Sequence, residues 1–438
     1  MAVVAAERGR GTALAEVARE LAQEGFTPHY RELQERFSSR APWRALREMG
    51  TDLWLDSADL AEIEPLWTRE FTHCTTNNFY VNVEVQRGRF DEAIPQIARR
   101  LRAAEPALSE QELIYEVGFV LNCRVALSLV ERLDATVSVE LHPAFADDVP
   151  TSVAYGVRYY AVCPERFLVK VPLTPAGYLA ARHLGERGVP VNFTLGFSAR
   201  QNYLAAHLAR TRYVNVFMGR LNAFVKDNGL GSGDNVGERA TQATQVALRA
   251  FREREGRDRP LLIGASMRNA GQVAALAGLD VFTIPTKVAA AFVAEMEAHP
   301  QPLTPVFERE FPVPLAPGVD ERRIGLPNLW EISDAYRAFV AAVDREDVSN
   351  WTGADLIAFA RDHRSRKLSG FRDWSEEERK AVEADGKIPN YARWAADLAA
   401  GTVALDDLMS ISALHSFAVD QRELDTRIAR LLAAGEAA

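Results

Sequence analysis

Eight short apolar segments alternate with helical patterns along this chain of 438 residues, and their alternation limits the possible folds. The segments lie at residues 52–56, 71–78, 136–140, 167–172, 191–195, 213–218, 260–266 and 280–284. Their mean spacing of about 30 residues is typical of a (β/α)8 barrel. A doubly wound open sheet would also alternate strand and helix, but no glycine-rich turn follows the first strand. The sequence therefore predicts an α/β fold of the TIM-barrel type.

Helical patterns flank the predicted barrel on both sides. We predict a helical extension over residues 1–50, the barrel with its active site over 51–298, and an irregular connection with helices packed on the barrel over 299–438. Five prolines between residues 302 and 317 mark the connection. The final helix carries an apolar stripe that we interpret as a docking face. The stripe consists of Leu414, Phe417, Leu424, Ile428 and Leu431.

Composition and charge exclude several classes of protein. The net charge of −9 argues against a nucleic-acid surface, which needs a basic face. The basic segment 361–367 has acidic neighbours on both sides, as solvated faces often do. Three widely separated cysteines suit a reducing compartment. No uninterrupted apolar run approaches the roughly 20 residues that span a bilayer, and the residues before Glu7 are too few for a signal-peptide core. We expect a cytoplasmic protein with no nucleic-acid or membrane partner.

A single cation, Lys170, interrupts the apolar run 167–171, where a buried strand is expected. Burial disfavours the ammonium form of a lysine, and the neutral amine can attack a carbonyl. Lys170 is therefore a candidate for Schiff-base formation. Two other interpretations are a lysine whose head reaches water at the strand end and one half of a buried ion pair.

Polar or aromatic residues lie at or just beyond the carboxyl ends of several other predicted strands. They are Asp56, Asn77, Glu140, Thr194, Phe217 and Ser266. In a barrel these ends meet at one mouth, where active sites form, whereas an open sheet would spread them along an edge. A lysine and two carboxylates at one mouth favour a catalytic site over a structural ion pair. The eight histidines are scattered without the spacing of metal ligands, so we predict neither a metal nor a cofactor.

These segments resemble, in order, the signature motifs of the transaldolase family. The matching motifs are Leu-Asp-Ser-Ala-Asp at 55–59, Thr-Thr-Asn at 75–77, Val-Ser-Val-Glu at 137–140, Leu-Val-Lys-Val-Pro-Leu-Thr at 168–174, Val-Asn-Phe-Thr at 191–194, Phe-Met-Gly-Arg at 217–220, Gly-Ala-Ser-Met-Arg-Asn at 264–269 and Phe-Ala-Val-Asp-Gln at 417–421. The resemblance covers residues from about 50 to 298 and from about 410 to 433. It implies a Schiff-base aldol enzyme built on a (β/α)8 barrel.

Such an enzyme needs an amine, a proton shuttle for dehydration, and an acid/base group at the hydroxyl next to the bond that breaks. The resemblance assigns the amine to Lys170 and the shuttle to Glu140, with Thr194 helping to hold a water molecule. It assigns the C4-hydroxyl proton to Asp56.

The resemblance also implies residues that bind substrate. Three asparagines are expected to bind the hydroxyls of a three-carbon fragment, because amides both donate and accept hydrogen bonds. They are Asn77, Asn192 and Asn215. Arg220, Ser266 and Arg268 are expected to bind a phosphate, since guanidinium groups give charged, two-pronged contacts. Phe217 is either a wall of the site or a barrel-core aromatic.

The expected activity is transfer of a dihydroxyacetone unit between sugar phosphates, as in the pentose phosphate pathway. The donor would be a ketose phosphate of the sedoheptulose 7-phosphate or fructose 6-phosphate type. The acceptor would be an aldose phosphate of the glyceraldehyde 3-phosphate or erythrose 4-phosphate type. One alternative is a lyase that releases free dihydroxyacetone, and another is a non-catalytic barrel that binds a partner. A homodimer is a further expectation.

Several features depart from the family pattern. Asn215 stands where serine is usual, and Asn78 stands where proline is usual. The glutamate strand continues as Leu-His-Pro, and residues 1–50 and 300–400 are longer than in most members. These departures suggest a specialised transaldolase acting on an unusual sugar phosphate as a further alternative.

Overall fold

Eight parallel strands close into a barrel in chain order, with the last paired to the first. The computed structural model describes residues 2–27, 36–362 and 371–436, with side chains in 13–27, 36–362 and 371–434. The strands are β1 Asp52–Asp56, β2 Phe71–Thr75, β3 Thr136–Glu140, β4 Phe167–Pro172, β5 Val191–Thr194, β6 Tyr213–Phe217, β7 Leu261–Ala265 and β8 Val281–Pro285. The predicted α/β barrel is confirmed, and β1, β3 and β4 have the predicted bounds.

Helices connect the strands and extend the chain beyond the barrel. Within the described residues they are α1 Ala2–Gln23, α2 Ala41–Glu48, α3 Leu60–Ile63, α4 Asn78–Gln86, α5 Ala93–Ala104, α6 Glu110–Leu133, α7 Val149–Val162, α8 Pro175–Glu186, α9 Ala199–Leu204, α10 Met218–Asp227, α11 Val236–Glu255, α12 Ala270–Ala275, α13 Thr286–Ala298, α14 Pro327–Trp330, α15 Asp334–Val343, α16 Gly353–Asp362, α17 Glu376–Asp385, α18 Tyr391–Ala400 and α19 Leu405–Glu436. Residues 363–367 of the basic segment lie outside the described part of the chain.

The alternation of side chains along each strand separates the two ends of the barrel. Successive residues of a strand point to opposite faces, so residues of one parity face the interior. Near the amino-terminal ends of the strands, the interior positions are occupied by aromatic and histidine side chains. Trp54 stacks on His73 with ring centroids 4.3 Å apart, and Tyr213 meets Trp54 edge-on at 4.8 Å. Two residues further along their strands the interior positions hold Asp56 and Asn215. One end of the barrel is therefore closed by aromatic packing, and the other presents polar groups.

Helix α6 is long and apolar enough to span a membrane by length and composition, although no uninterrupted apolar run in it approaches about 20 residues. In the fold, 83% of its most apolar window is buried. Its charged residue Glu116 is also buried and pairs with Arg158 of α7. Helix α6 is therefore a core helix between the barrel and the outer elements, and the cytoplasmic location stays a prediction.

The helices outside the barrel pack on its helical layer. Helix α1 docks on α6 and α7, where Gln23 donates to the carbonyl of Val162 at 2.7 Å and Arg124 donates to the carbonyl of Leu21 at 2.9 Å. Helix α19 packs against α4, α5, α6 and α17, which brings its middle to the barrel mouth. The division of the chain into units at residues 50 and 298 stays a prediction.

Candidate active site

Lys170 and Glu140 form a buried pair at the carboxyl-terminal end of the barrel. They are register partners on β4 and β3, and the side chains of both face the interior. The Lys170 Nζ atom lies 3.6 Å from Glu140 Oε1 and donates to the carbonyl of Thr76 at 3.4 Å. Each residue is only 3% exposed. The ring of Phe417, from α19, has its centroid 5.5 Å from Nζ, so the amine lies under an aromatic cover.

Local sequence explains why β4 presents Lys170 at this depth. All six residues of β4 are buried, so the strand lies within the packed barrel wall. Thr174 then caps α8, because its Oγ1 accepts a hydrogen bond from the Gly177 amide at 2.8 Å, and Pro175 occupies the first helical position. The strand therefore ends two residues beyond Lys170 and leaves the amine just inside the mouth.

The second oxygen of Glu140 is held by a different element. Its Oε2 accepts a hydrogen bond from the backbone N–H of Asn78, the first residue of α4, at 3.3 Å. Burial raises the pKa of Glu140, while the charge of Lys170 and the Asn78 N–H oppose that rise. Glu140 is thus a carboxyl group close to an amine, with its proton affinity increased by loss of water.

Asp56 occupies the end of β1 and lines the same cavity. The hydroxyl of Tyr80, which also lines the cavity, donates to the Asp56 backbone carbonyl at 2.7 Å and not to the carboxylate. Burial raises the pKa of Asp56 to about 6, and the charges of Lys170 and Arg268 limit the rise. A carboxyl group with this pKa can exchange a proton near neutral pH.

The three predicted asparagines all line the cavity, with different hydrogen-bond commitments. Asn77 caps α4 by accepting from the amide of Tyr80 at 3.0 Å. Asn192 donates to the hydroxyl of Ser138 at 2.9 Å, and its buried Oδ1 has no partner among the described residues. Asn215 accepts from the amide of Gly196 at 3.2 Å through its Oδ1. Each side chain therefore retains a donor or an acceptor for a ligand.

The guanidinium groups of Arg220 and Arg268, which follow β6 and β7, also line the cavity. Arg220 is buried, and its pKa is lowered to about 10 by burial and by repulsion from Arg268, which Asp420 partly offsets. Its side chain donates to the carbonyl of Lys387 at 3.4 Å and to the hydroxyl of Ser416 at 3.5 Å. Within the described residues, neither arginine forms an ion pair with a carboxylate within 4.0 Å. Two cations without a carboxylate partner form a suitable site for an anion such as phosphate.

The strand-to-helix turns explain how these cations are brought together. Arg220 is the third residue of α10, directly after β6, and Arg268 follows β7. Between them Ser266 adopts a φ of 63°, in the left-handed region that residues other than glycine rarely occupy. Gly219 lies against this turn, and a methyl group there would be 2.1 Å from the carbonyl oxygen of Ser266. The turn after β7 and the start of α10 thus fit closely.

The cavity has a volume of about 560 Å³ and gathers nine of the eleven predicted site residues. The nine are Asp56, Asn77, Lys170, Asn192, Asn215, Phe217, Arg220, Ser266 and Arg268. Glu140 does not line the cavity, but it lies 3.6 Å from the amine of Lys170, which does. Thr194 is fully buried and does not line the cavity, and its hydroxyl has no partner among the described residues.

Sequence reasoning missed the contribution of the carboxyl-terminal region to this cavity. Helix α19 supplies Ser416, Phe417 and Asp420, and the turn between α17 and α18 supplies Lys387. Phe417 is therefore part of the site and not only a docking residue. The match at 417–421 was the one sequence signal for this, but helical periodicity alone placed Phe417 in the apolar stripe.

Within residues 2–27, 36–362 and 371–436, no group of three or more His, Cys, Asp or Glu side chains could hold a metal ion.

Comparison with known proteins agrees with this geometry. The profile of the Transaldolase/Fructose-6-phosphate aldolase family matches residues 53–315. A probable transaldolase of Exiguobacterium sp. is 35% identical over 173 residues, covering 38% of this chain and 68% of the relative. A probable transaldolase of Lysinibacillus sphaericus is 33% identical over 162 residues, covering 36% of this chain and 66% of the relative.

A transaldolase of Yersinia pseudotuberculosis is 26% identical over 289 residues, covering 61% of this chain and 87% of the relative. These names and the family profile together support a transaldolase-type transferase activity. The profile covers more than half of the chain and spans all but the first residue of the eight-stranded barrel. This chain belongs to the transaldolase/fructose-6-phosphate aldolase family.

Proposed function

We propose that this protein transfers a dihydroxyacetone unit from a ketose phosphate to an aldose phosphate through a Schiff base on Lys170. The observation that carries the proposal is the Lys170–Glu140 pair, 3.6 Å apart, with Lys170 lining a cavity that also holds two arginines. Neither arginine has a carboxylate partner within 4.0 Å in the described part of the chain. An amine at one side and an anion site at the other suit a substrate with a carbonyl and a phosphate.

The first stage forms the imine. The neutral Lys170 amine adds to the C2 carbonyl of the ketose, and the new hydroxyl leaves as water after gaining a proton. Glu140 is close enough to take the proton that the ammonium must lose, and to return a proton through a water molecule during dehydration. The buried hydroxyl of Thr194 is a further group suited to holding that water molecule.

The second stage breaks the bond between C3 and C4. Asp56 takes the proton of the C4 hydroxyl, the aldose phosphate leaves as an aldehyde, and the electron pair of the bond moves into the iminium to give an enamine. The pKa of about 6 allows Asp56 to be ionised at neutral pH and to hold the proton until the acceptor arrives. The acceptor aldehyde then adds to the enamine, and the steps run in reverse.

The remaining residues orient the substrate in this scheme. Asn192 and Asn77 would bind the hydroxyls of the three-carbon fragment, with Asn215 beside them in place of the more usual serine. The phosphate would bind Arg220, Arg268 and Ser266. Phe217, whose ring lies 6.4 Å from that of Phe417, would complete an apolar wall that keeps water from the enamine.

Trapping with borohydride tests this function. The protein is incubated with fructose 6-phosphate or sedoheptulose 7-phosphate, reduced, and digested, and the modified peptide is identified by mass. We expect one adduct, on Lys170, and none in Lys170→Arg, because arginine cannot deprotonate to attack a carbonyl. Lys287→Arg, a change at an exposed lysine of α13, should leave the adduct unchanged. An adduct on Lys226 or Lys287 instead of Lys170 would refute the assignment.

Turnover measured with and without an acceptor distinguishes transfer from simple cleavage. With fructose 6-phosphate alone a transaldolase retains the three-carbon fragment, whereas a lyase releases free dihydroxyacetone at every turnover. We expect turnover to require an added aldose phosphate such as erythrose 4-phosphate. Sustained release of dihydroxyacetone without an acceptor would favour the lyase.

A further inference from the structure

The amino-terminal end of α4 touches Glu140. Asn77 is the N-cap residue of this helix and Asn78 is its first residue. The first N–H groups of a helix have no acceptor within the helix and need one elsewhere. The N–H of Asn78 donates a hydrogen bond to Oε2 of Glu140 at 3.3 Å. Both residues are buried, with 1% of Asn78 and 3% of Glu140 exposed.

This contact divides the two oxygens of Glu140 between two elements. Oε2 is bound by Asn78 of α4, while Oε1 lies 3.6 Å from Nζ of Lys170 on β4. The charged groups acting on Glu140 are Lys170 from β4 and Asp56 from β1. The N–H of Asn78 is thus a neutral donor that binds the carboxylate oxygen other than the one nearest the amine.

The side chain of Asn78 is held separately. Its Oδ1 accepts from Nδ2 of Asn122 on α6 at 3.4 Å, so the amide side chain is directed to α6 and the backbone N–H to Glu140. The chain has asparagine here where the family resemblance leads one to expect proline. Proline has no N–H and could not make the contact with Glu140.

We propose that Asn78 is a positioning residue, whose backbone N–H holds Glu140 Oε2 so that Oε1 faces Lys170. The inference rests on the proposed role of Glu140 in proton transfer. A hydrogen bond from an N–H to the charged form of a carboxylate favours that form. Loss of this donor should therefore make Glu140 take up a proton at higher pH.

Two substitutions separate the N–H from the side chain. Asn78→Pro removes the N–H, and proline is well suited to the first position of a helix, so α4 should still form. Asn78→Ala keeps the N–H and removes only the side chain, which makes it the matched control. Thermal unfolding of both variants checks that the fold is retained.

The measurement is the rate of borohydride-trapped adduct formation on Lys170 as a function of pH. The inflection that is missing in Glu140→Gln identifies the titration of Glu140. We expect this inflection to move upward by about one pH unit in Asn78→Pro, the effect of one charge-assisted hydrogen bond, and to stay at the wild-type pH in Asn78→Ala. Equal inflections in wild type, Asn78→Ala and Asn78→Pro would overturn the proposal.

A second measurement does not depend on the proline variant. With asparagine labelled by nitrogen-15, the amide resonance of Asn78 is the backbone signal that disappears in Asn78→Ala. Its shift should follow the titration of Glu140 in the wild-type protein and become independent of pH in Glu140→Gln. A resonance that does not respond in the wild type contradicts the contact. A wild-type protein that forms no adduct refutes the proposed function instead, while the resonance still reports on Asn78 and Glu140.

Discussion

Asp56 and Glu140 both end barrel strands, yet their surroundings suit them to different steps. Glu140 is 3.6 Å from the amine and receives a backbone hydrogen bond, so it is placed for proton transfer at the nitrogen. Asp56 lies on β1, lines the cavity, and is influenced by both Lys170 and Arg268. In the proposed reaction it would therefore meet the middle of a sugar phosphate whose carbonyl carbon is bound to Lys170 and whose phosphate is bound by Arg268.

Substitution of each carboxylate should therefore stop the reaction at a different stage. Asp56→Asn should form the imine but not break the carbon–carbon bond, so borohydride should trap the whole sugar on Lys170. Glu140→Gln should slow the dehydration that gives the imine, and little adduct of any size should form. Each loss should be about 10² to 10⁴-fold, which is typical of acid–base groups. Mass spectrometry of the adducts distinguishes the two, and whole-sugar adduct from Glu140→Gln alone would show that the roles are reversed.

The raised pKa of Asp56 also has a consequence for stability. The group has a pKa of about 6 in the fold against an ordinary value of 3.8, so the folded state binds the proton more tightly than the unfolded state. The stability from the protonated form is complete below about pH 4 and is lost as the pH rises through about 6. The asparagine in Asp56→Asn cannot ionise, so its free energy of unfolding should not fall over this pH range. At pH 8 the variant should be more stable than wild type by at most about 3 kcal/mol.

Urea unfolding at about pH 4 and about pH 8 measures this effect. The difference in free energy of unfolding between Asp56→Asn and wild type should increase between the two conditions. A difference that is the same at both pH values would show that Asp56 titrates alike in the folded and unfolded states.

At the scale of elements, the phosphate side of the cavity depends on how α10 meets the turn after β7. Helix α10 begins immediately after β6, and Gly219 is its second residue. A methyl group on Gly219 would lie 2.1 Å from the Ser266 carbonyl oxygen and 2.7 Å from Arg268 Nε. Because the Ser266 backbone is already in the left-handed region, the turn has few other conformations available. The two arginines are thus held by backbone packing and not only by their own side chains.

Gly219→Ala should therefore displace the turn and weaken use of phosphorylated donors. We expect kcat/KM for fructose 6-phosphate to fall by on the order of 10 to 100-fold, because small misplacements of binding groups have effects of this size. Gly118→Ala in α6 is the control, since a methyl group there would have its nearest neighbour, Ile428 Cδ1, at 4.0 Å. Unphosphorylated fructose should be affected much less by Gly219→Ala. An equal loss with both donors would mean that the change acts on the whole barrel mouth.

At the scale of the whole molecule, the carboxyl-terminal helix α19 completes a site that the barrel begins. Its first turn is fixed to the start of α9, where Asp406 accepts two hydrogen bonds from Arg200, at 2.8 and 2.7 Å, and one from the N-cap residue Ser198 at 2.6 Å. Further along, Ser410 donates to the carbonyl of Leu195 at 2.9 Å. About two turns later the helix covers the amine with Phe417. The anchoring residues and Phe417 therefore belong to one continuous helix.

Asp406→Ala should destabilise the whole fold. The carboxylate and the Arg200 guanidinium are 1% and 5% exposed, so the change leaves a buried charge without a partner, at a cost of about 3–5 kcal/mol in the free energy of unfolding. Lys380→Ala, which breaks the pair between Lys380 and Glu376 at 71% and 82% exposure, is the control and should have no measurable effect. Urea unfolding compares the two variants. A small, equal change in both would mean that α19 is not anchored by this pair.

The sequence alone determined the barrel and most of the candidate site. Strands repeat every two residues, so the interior positions of β1, β3 and β4 follow once the strands are recognised, and Asp56, Glu140 and Lys170 follow with them. The parallel arrangement then brings strand ends together regardless of the length of the connections. These inferences need only local periodicity and chain order.

Only the tertiary structure decided which residues from outside the barrel enter the cavity. Phe417 lies in the apolar stripe of α19 by periodicity, yet it faces Lys170, which is 247 positions earlier in the chain. Asp420 and Lys387 reach the cavity, Thr194 does not, and the Asn78 amide meets Glu140. Such contacts depend on where packed helices cross the barrel mouth. That crossing is set by the sum of many distant contacts, and no local pattern of residues records it.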